Sequence, residues 1–552
     1  MLTKIAIISA LSFTLFISST YFNIEHIENS EWEKIYENGA FYSIIKCNDG
    51  YMVVGYKRCN NNTQGWLVKI DAEGNIIWEK AYGGKGDDEF KKIIREGENF
   101  IIAGETSSYG NDGRDFWVVK VDKNGNEIWN KTYDKGGSEG FDNAVKVDDG
   151  YIIQGATDFN QYGEWNIWVV KIDKEGNIVW EKIYGEHGEY RPEDMTGTKD
   201  GGVIIVGNKM VGNLSMISLL KLNKNGEKEW ETTYYYNPGL LPPHAKGVVQ
   251  TTDGGYAISG EISREDATQR NLLLLKTDEY GNEMWNKTYG QDYYNIWQGT
   301  IIETSNGGLL LNGMAFPTYG SLSYTYLLKT DADGNPQWEH EYHGRKRFGE
   351  EKGAGIANIA EIPQGYIFTT STEEVGKDGS GWLVKIDKQG NEVWNKTFGN
   401  MYGCGFSGSV VAEEDSFVAC GYWNKSAWVT KCGDYPPPKI ELTYPRPGHI
   451  YFFGKEIMPA SRTLILGDIT FQVGVNDPLE KVDRVEFYVT TKDAYDKEPR
   501  YIDYDPPYEW KWNDPAIGIR WQYRIIVAAY YGNAGGSEAD EISTQVINLG
   551  LT

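Results

Sequence analysis

His187, His244 and His343, three of the six histidines in this 552-residue chain, stand near carboxylates, guanidinium groups and large aromatic rings. Glu189, Asp194, Tyr294, Trp297, Arg345, Arg347 and Tyr402 lie with them in segments that vary while the flanking sequence repeats. Imidazole, acid, guanidinium and aromatic groups converging on one concavity suit a polar ligand, a glycan or a protein surface: ring faces supply apolar contact and the ions fix orientation. They read as binding residues, because the spacing that covalent or metal chemistry demands is missing. The sequence holds no G-x-S-x-G, no Walker loop and no H-x-H or H-E-x-x-H pair, so no catalytic residue, metal or cofactor is assigned. Asp331, Asp333 and Asn335 come nearest to a calcium loop, yet Tyr342 stands where an EF-hand needs glutamate, and such segments read as turns in which Asp caps the backbone.

The elements that would carry these groups repeat. WLVKIDAEGNIIWEKAYG (66–83), FWVVKVDKNGNEIWNKTY (116–133), IWVVKIDKEGNIVWEKIYG (167–185) and GWLVKIDKQGNEVWNKTFG (381–399) are four clear copies, and three weaker ones lie between them. Marker lysines at Lys69, Lys120, Lys171, Lys221, Lys276, Lys329, Lys385 and Lys431 give a period near fifty residues, the mark of propeller blades or a solenoid. Each unit reads as four short strands with glycine turns, and the recurring lysine reads as a salt-bridge or hydrogen-bond partner between units. Trp32, Trp78, Trp129, Trp180, Trp230, Trp285, Trp338 and Trp394 keep one register in every unit and are read as core packing between blades rather than as sugar platforms. The eighth unit lacks its fourth strand and runs into Pro436, Pro437 and Pro438, whereas residues 31–37 hold an unattached copy of that strand. A ring accounts for both ends. The expected fold is therefore all-β: an eight-bladed β-propeller over 31–435, its last blade completed by residues 31–37, followed by an Ig-like β-sandwich over 436–552.

The repeat resembles that of quinoprotein-like (PQQ-type) propellers through its Lys-x-Asp-x-x-Gly-Asn-x-x-Trp segment, over about residues 31–433. The resemblance implies a fold only. The adjacent cysteine pair of quinoprotein dehydrogenases has no counterpart here, and their cofactor is not carried over. VDRVEFYV (482–489), DPPYEWKW (505–512) and IIVAAYYGNAGG (525–536) resemble the Ig-like modules appended to exported bacterial and archaeal proteins, which imply spacing or docking.

Composition limits the partner. With 54 Lys and Arg against 79 Asp and Glu the net charge is -25, and no basic stripe offsets it, so nucleic acid is excluded as a partner. Residues 1–20 place Lys4 before an apolar run and read as a signal peptide or N-terminal anchor; no later segment is apolar enough to span a bilayer. Cys47, Cys59, Cys404, Cys420 and Cys432 fall in the first and last units, where a seam disulfide and buried free thiols stand as equal alternatives. The expectation is a secreted or cell-surface protein that binds an extracellular glycan or protein through its loop face and is not an enzyme. The alternative is an extracellular carbohydrate-active enzyme, a glycoside hydrolase or lyase, with a site at the channel mouth.

Overall fold

The computed structural model describes residues 31–36, 38–111, 113–157, 165–185, 190–211, 214–236, 243–263, 269–290, 295–317, 323–347, 350–354, 358–374, 377–398, 404–423, 425–436, 439–461, 463–476, 482–491, 494–495, 499–512, 516–517, 523–531 and 536–548. All regular structure among them is β, and none of their segments is a helix long and apolar enough to cross a membrane. Eight antiparallel sheets follow one another up to Gly433, seven of four strands and one of six. In the third sheet, Glu139–Val147, Gly150–Thr157, Asn166–Asp173 and Ile178–Tyr184 pair in sequence order from innermost to outermost. Third strands such as Asp115–Val121 and Asn166–Asp173 are apolar runs buried on both faces, because a neighbouring sheet covers each side. Outer strands alternate toward solvent.

Innermost strands of successive sheets pack side by side, and Cys404–Ala412 of the eighth sheet packs against Gly39–Cys47 of the first. Within the eighth sheet Trp32–Tyr36 pairs antiparallel with Ser426–Gly433, setting Trp32 opposite Lys431 and Tyr36 opposite Ala427. The arrangement is that of a β-propeller.

A clasp repeats at the seams. The turn before the outermost strand of sheets one to seven, Asp-x-x-Gly-Asn in all but the fourth, has a glycine with positive φ, 78° at Gly176, and a Cβ there would meet the Trp129 ring at 2.9 Å. The Tyr133 hydroxyl donates to the Gly176 carbonyl at 2.9 Å. Tyr82, Tyr184, Tyr234, Tyr289 and Tyr342 do the same to Gly125, Gly226, Gly281, Gly334 and Gly390. At the join of the eighth sheet to the first, Tyr36 donates to Gly74 at 2.8 Å and the Trp32 indole to Ala72 at 2.7 Å. The repeated tryptophans thus sit between sheets, but only Trp32 and Trp394 are buried; Trp78, Trp129, Trp180, Trp230, Trp285 and Trp338 are half-buried, since each caps a turn at the rim. The indoles of the deep core are instead Trp66, Trp117, Trp168, Trp382 and Trp428, on third strands.

The turn aspartates are spent on the backbone. Asp331 Oδ1 accepts from the amides of Asp333 and Asn335 at 3.0 and 2.8 Å, and its Oδ2 from the Asn335 side chain at 2.9 Å. Most marker lysines take a carboxylate from their own sheet: Lys171 meets Asp149 at 2.8 Å and Lys276 meets Asp253 at 2.9 Å. They also bond across the seam as expected: Lys171 donates to the Lys224 carbonyl at 3.1 Å, Lys120 to the Lys174 carbonyl at 2.9 Å, and Lys385 pairs with the Asp434 carboxylate at the end of the eighth sheet at 2.6 Å. Cys47, Cys420 and Cys432 are buried free thiols and Cys59 an exposed one.

Beyond the eighth sheet, Lys439–Tyr444, Ile469–Asn476 and Tyr508–Trp512 form a three-stranded sheet facing a nine-stranded one built on Val482–Thr491, Tyr523–Tyr531 and Gly536–Asn548. Phe471, Trp510 and Trp512 from one sheet and Phe487, Ile525 and Val527 from the other share a core, as in a β-sandwich.

Candidate functional site at the channel mouth

The innermost strands of sheets one to five each break register at one place, between Phe41 and Ser43, Phe90 and Lys92, Phe141 and Asn143, Pro192 and Asp194, and Ala245 and Gly247. A bulge re-aims the extra residue, so one side chain per sheet leaves the pleat: Tyr42, Lys91, Asp142, Glu193 and Lys246. The residues beside them tie the bulges together. Lys92 donates to Asn143 Oδ1 at 3.3 Å, Asn143 donates to the Met195 carbonyl at 3.1 Å, and Asp194 Oδ2 accepts the Val248 amide at 3.1 Å. Four neighbouring sheets are thereby linked.

The bulged side chains meet as ions. Lys246 reaches Glu193 of the preceding sheet at 3.0 Å, and Asn208 donates to the same carboxylate at 3.2 Å. Lys91 and Arg114 hold the two oxygens of Glu105 at 2.6 and 2.9 Å. Asp142 receives one hydrogen bond, from Gln154 at 3.1 Å. Its carboxyl is open to water yet surrounded by protein, and this desolvation pushes its pKa up to about 7, against the Gln154 bond and the Lys91 charge, which lower it. A carboxyl poised there can carry a proton in either direction at neutral pH. Beside this ring, Tyr42, Tyr56, Arg58, Glu89, Glu105 and Arg114 line a cavity of about 220 Å³ between sheets one and two.

The predicted binding residues divide. His244 opens the innermost strand of sheet five next to this ring, and burial, followed by Arg270, Lys246 and Arg191, lowers its pKa to about 4. It is a neutral imidazole at physiological pH. Trp297 stands at the same level of sheet six, 45 % exposed, with its ring edge-on to Phe316 at 5.0 Å. Asp194 is spent on structure: its oxygens accept the Met195 and Val248 amides, and burial raises its pKa. His343 lies away from the ring, 3.1 Å from Glu341 and against Tyr324. Arg345 and Arg347 belong to the short strand Gly344–Arg347 of the seventh sheet. His187, Glu189, Tyr294 and Tyr402 lie outside the described residues.

The sequence reading missed Lys91, Glu105, Asp142, Glu193 and Lys246. The sequence carries no signal that singles them out: the residue after Phe90 and Phe141 is Lys in one unit and Asp in the next, but the flanking positions vary as well, Glu89 and Lys92 against Gly140 and Asn143.

Comparison with known proteins adds one family and several folds. Residues 455–525 match the bacterial Ig domain family, and no curated protein matches the chain. Among solved structures, an ulvan lyase from a new family of polysaccharide lyases is 10% identical, with 62% of this chain and 92% of that one covered and a TM-score of 0.41. PorZ, a surface component of the type-IX secretion system of Porphyromonas gingivalis, is 11% identical over 93% of this chain and 70% of its own, with a TM-score of 0.38. The β-propeller domain of the trilobed protease from Pyrococcus furiosus is 11% identical over 63% and 95%, with a TM-score of 0.37. At these identities and scores none assigns an activity to this chain.

Proposed function

We propose that the protein is an exported binding or scaffold protein that recognises an extracellular glycan or protein at the mouth of an eight-bladed, PQQ-like propeller, with an Ig-like module over 436–552 as spacer. The ring reading rests on the Trp32 and Tyr36 clasp, which joins the last sheet to the first as other seams are joined, and on the pairing that covers the edge of Ser426–Gly433. The export reading rests on the apolar N-terminal run and is supported by the bacterial Ig match.

The binding reading is carried by one observation, the ring of bulged side chains Tyr42, Lys91, Asp142, Glu193 and Lys246 on a repeated frame. Lys246 pairs with Glu193, Lys91 pairs with Glu105, and the Gln154 and Asn208 side chains donate to Asp142 and Glu193, which orients the group for hydrogen bonding to hydroxyls or carboxylates. Tyr42, Tyr56 and the exposed Trp297 add ring faces at the same level. A glycan array with the purified chain, repeated with Lys246→Ala and Trp297→Ala, tests this. Specific spots that both variants lose support the reading, and an array blank for the parent chain sinks its glycan half.

The Asp142 carboxyl, lifted to about 7, favours a second reading, a carbohydrate-active enzyme in which Asp142 transfers the proton. Product release from a panel of acidic and neutral polysaccharides, abolished by Asp142→Asn, would establish it. Binding without turnover would leave the first reading standing.

A further inference from the structure

Asp115, Asp134 and Glu139 meet where sheet two hands over to sheet three, and one carboxylate oxygen from each lies within 4.8 Å of the others. Asp115 begins a third strand, Asp134 follows the outermost strand Glu127–Tyr133, and Glu139 begins the next innermost strand. Asp115 is 1 % exposed and Glu139 0 %.

Two of the three carboxyls take hydrogen bonds from neighbouring donors. Asp134 Oδ1 accepts the Gly136 amide at 2.6 Å and its Oδ2 the Asn111 side chain at 2.7 Å. Glu139 Oε1 accepts the Thr157 hydroxyl at 2.8 Å, and its Oε2 the Lys135 amide at 3.5 Å. Asp115 has no such donor, and both its buried oxygens lack a hydrogen-bond partner while facing the other two acids. Among the described residues no lysine or arginine pairs with any of the three. The nearest basic residues in sequence are turned away, Arg114 to Glu105 at 2.9 Å and Lys135 to Glu181 at 2.8 Å.

The repeat shows that this is particular to one seam. One period earlier the corresponding pair is Gln64 and Asp88, an amide donating to an acid at 3.3 Å, with Asp88 also satisfied by Ser108 at 2.6 Å and by Thr106. One period later it is Asn166 and Tyr190, in which only uncharged groups meet. Two buried carboxylates opposite each other, with a third at the rim, destabilise the fold unless a proton or a cation neutralises them.

We propose that Asp115, Asp134 and Glu139 bind a divalent cation of the calcium type at the seam between sheets two and three. The donors are all hard oxygens, and the oxygens of one calcium shell, about 2.3–2.6 Å from the metal, lie within about 5 Å of each other. The half-exposed Asp134 leaves a side through which water can complete the shell. The proposal does not depend on what the channel mouth binds.

The test is calcium titration of the chelator-treated full chain, up to about 1 mM free ion, read by calorimetry and by thermal unfolding. The parent chain is expected to bind one more calcium equivalent than Asp115→Asn or Glu139→Gln and to melt higher in calcium, a shift those variants lose. Should the buried variants fail to fold, Asp134→Asn at the rim serves the same comparison. Equal stoichiometry in parent and variants would overturn the proposal, as would a parent chain indifferent to calcium beside an Asp115→Asn variant more stable than it, which would assign the cluster to a shared proton.

Discussion

Glu31 and Lys396 lie 365 residues apart and form a buried ion pair, with Oε1 2.6 Å from Nζ. Glu31 also accepts the Gly433 amide at 2.8 Å, so one carboxylate joins the chain's first described residue to the outer strand of sheet seven and to the end of sheet eight. Removing one partner leaves the other charged and dry. Glu31→Leu or Lys396→Met is expected to cost about 3–5 kcal/mol in urea unfolding, whereas the two replacements together cost less than the sum. Additive losses in the cycle would deny the coupling.

The clasp at each seam can be separated from backbone strain. Gly176 and Gly254 both have positive φ, 78° and 93°, but only Gly176 has an indole against it; nothing lies within 4 Å of a Cβ at Gly254. Gly254→Ala should cost about 1 kcal/mol for the left-handed conformation alone, and Gly176→Ala about 1–3 kcal/mol more, because the new methyl displaces Trp129. Chemical denaturation of the two single variants measures the difference. Equal losses would mean that the ring yields freely.

The frame was legible because it repeats. A period near fifty residues places the four strands, the turn glycines and the Trp register in every unit, and the unpaired copy of the outer strand at 31–37 pointed to its partner. The site was less so. Asp194 and Asp142 are both acids near the start of an innermost strand, yet one fastens two backbones and the other opens into the channel. The difference is the bulge, a single skipped residue that turns the next side chain to the other face, and no local pattern of apolar residues fixes its place. The depth of the repeated tryptophans was misjudged for a related reason, since register tells which residues face a seam but not how far the rim lies from the axis.

Asp142 should make stability fall with pH. Its carboxyl titrates at about 7 in the folded chain against 3.8 ordinarily. Between those values the folded state holds a proton that the unfolded state has lost, so stability declines as pH rises from about 4 to 7, and below 4 the penalty is absent. Urea unfolding of the parent and Asp142→Asn at several pH values gives the difference curve. The gap in favour of the variant is expected to widen across that window and level off above it; a flat difference would place the proton elsewhere.

Trp297 and Trp180 predict opposite phenotypes from one residue type. Trp180 lies on the Gly226 turn of the next sheet and donates its indole N–H to the Lys224 carbonyl at 3.1 Å, so its removal uncovers a seam. Because the ring is half-buried, Trp180→Ala is expected to cost about 1–3 kcal/mol, below the loss for a core indole, without altering ligand binding. Trp297 stands outside that register, with 45 % of its surface open and Phe316 as its ring contact. Its alanine variant should unfold within about 0.5 kcal/mol of the parent and bind the ligand found by array at least tenfold more weakly, as an exposed aromatic anchor does. His244→Ala, on the adjacent sheet, should weaken binding and leave the pH profile of the parent unchanged near 6, because the imidazole it removes is already neutral there. Normal binding by both variants would move the working surface from the mouth to the opposite face or to the Ig-like region.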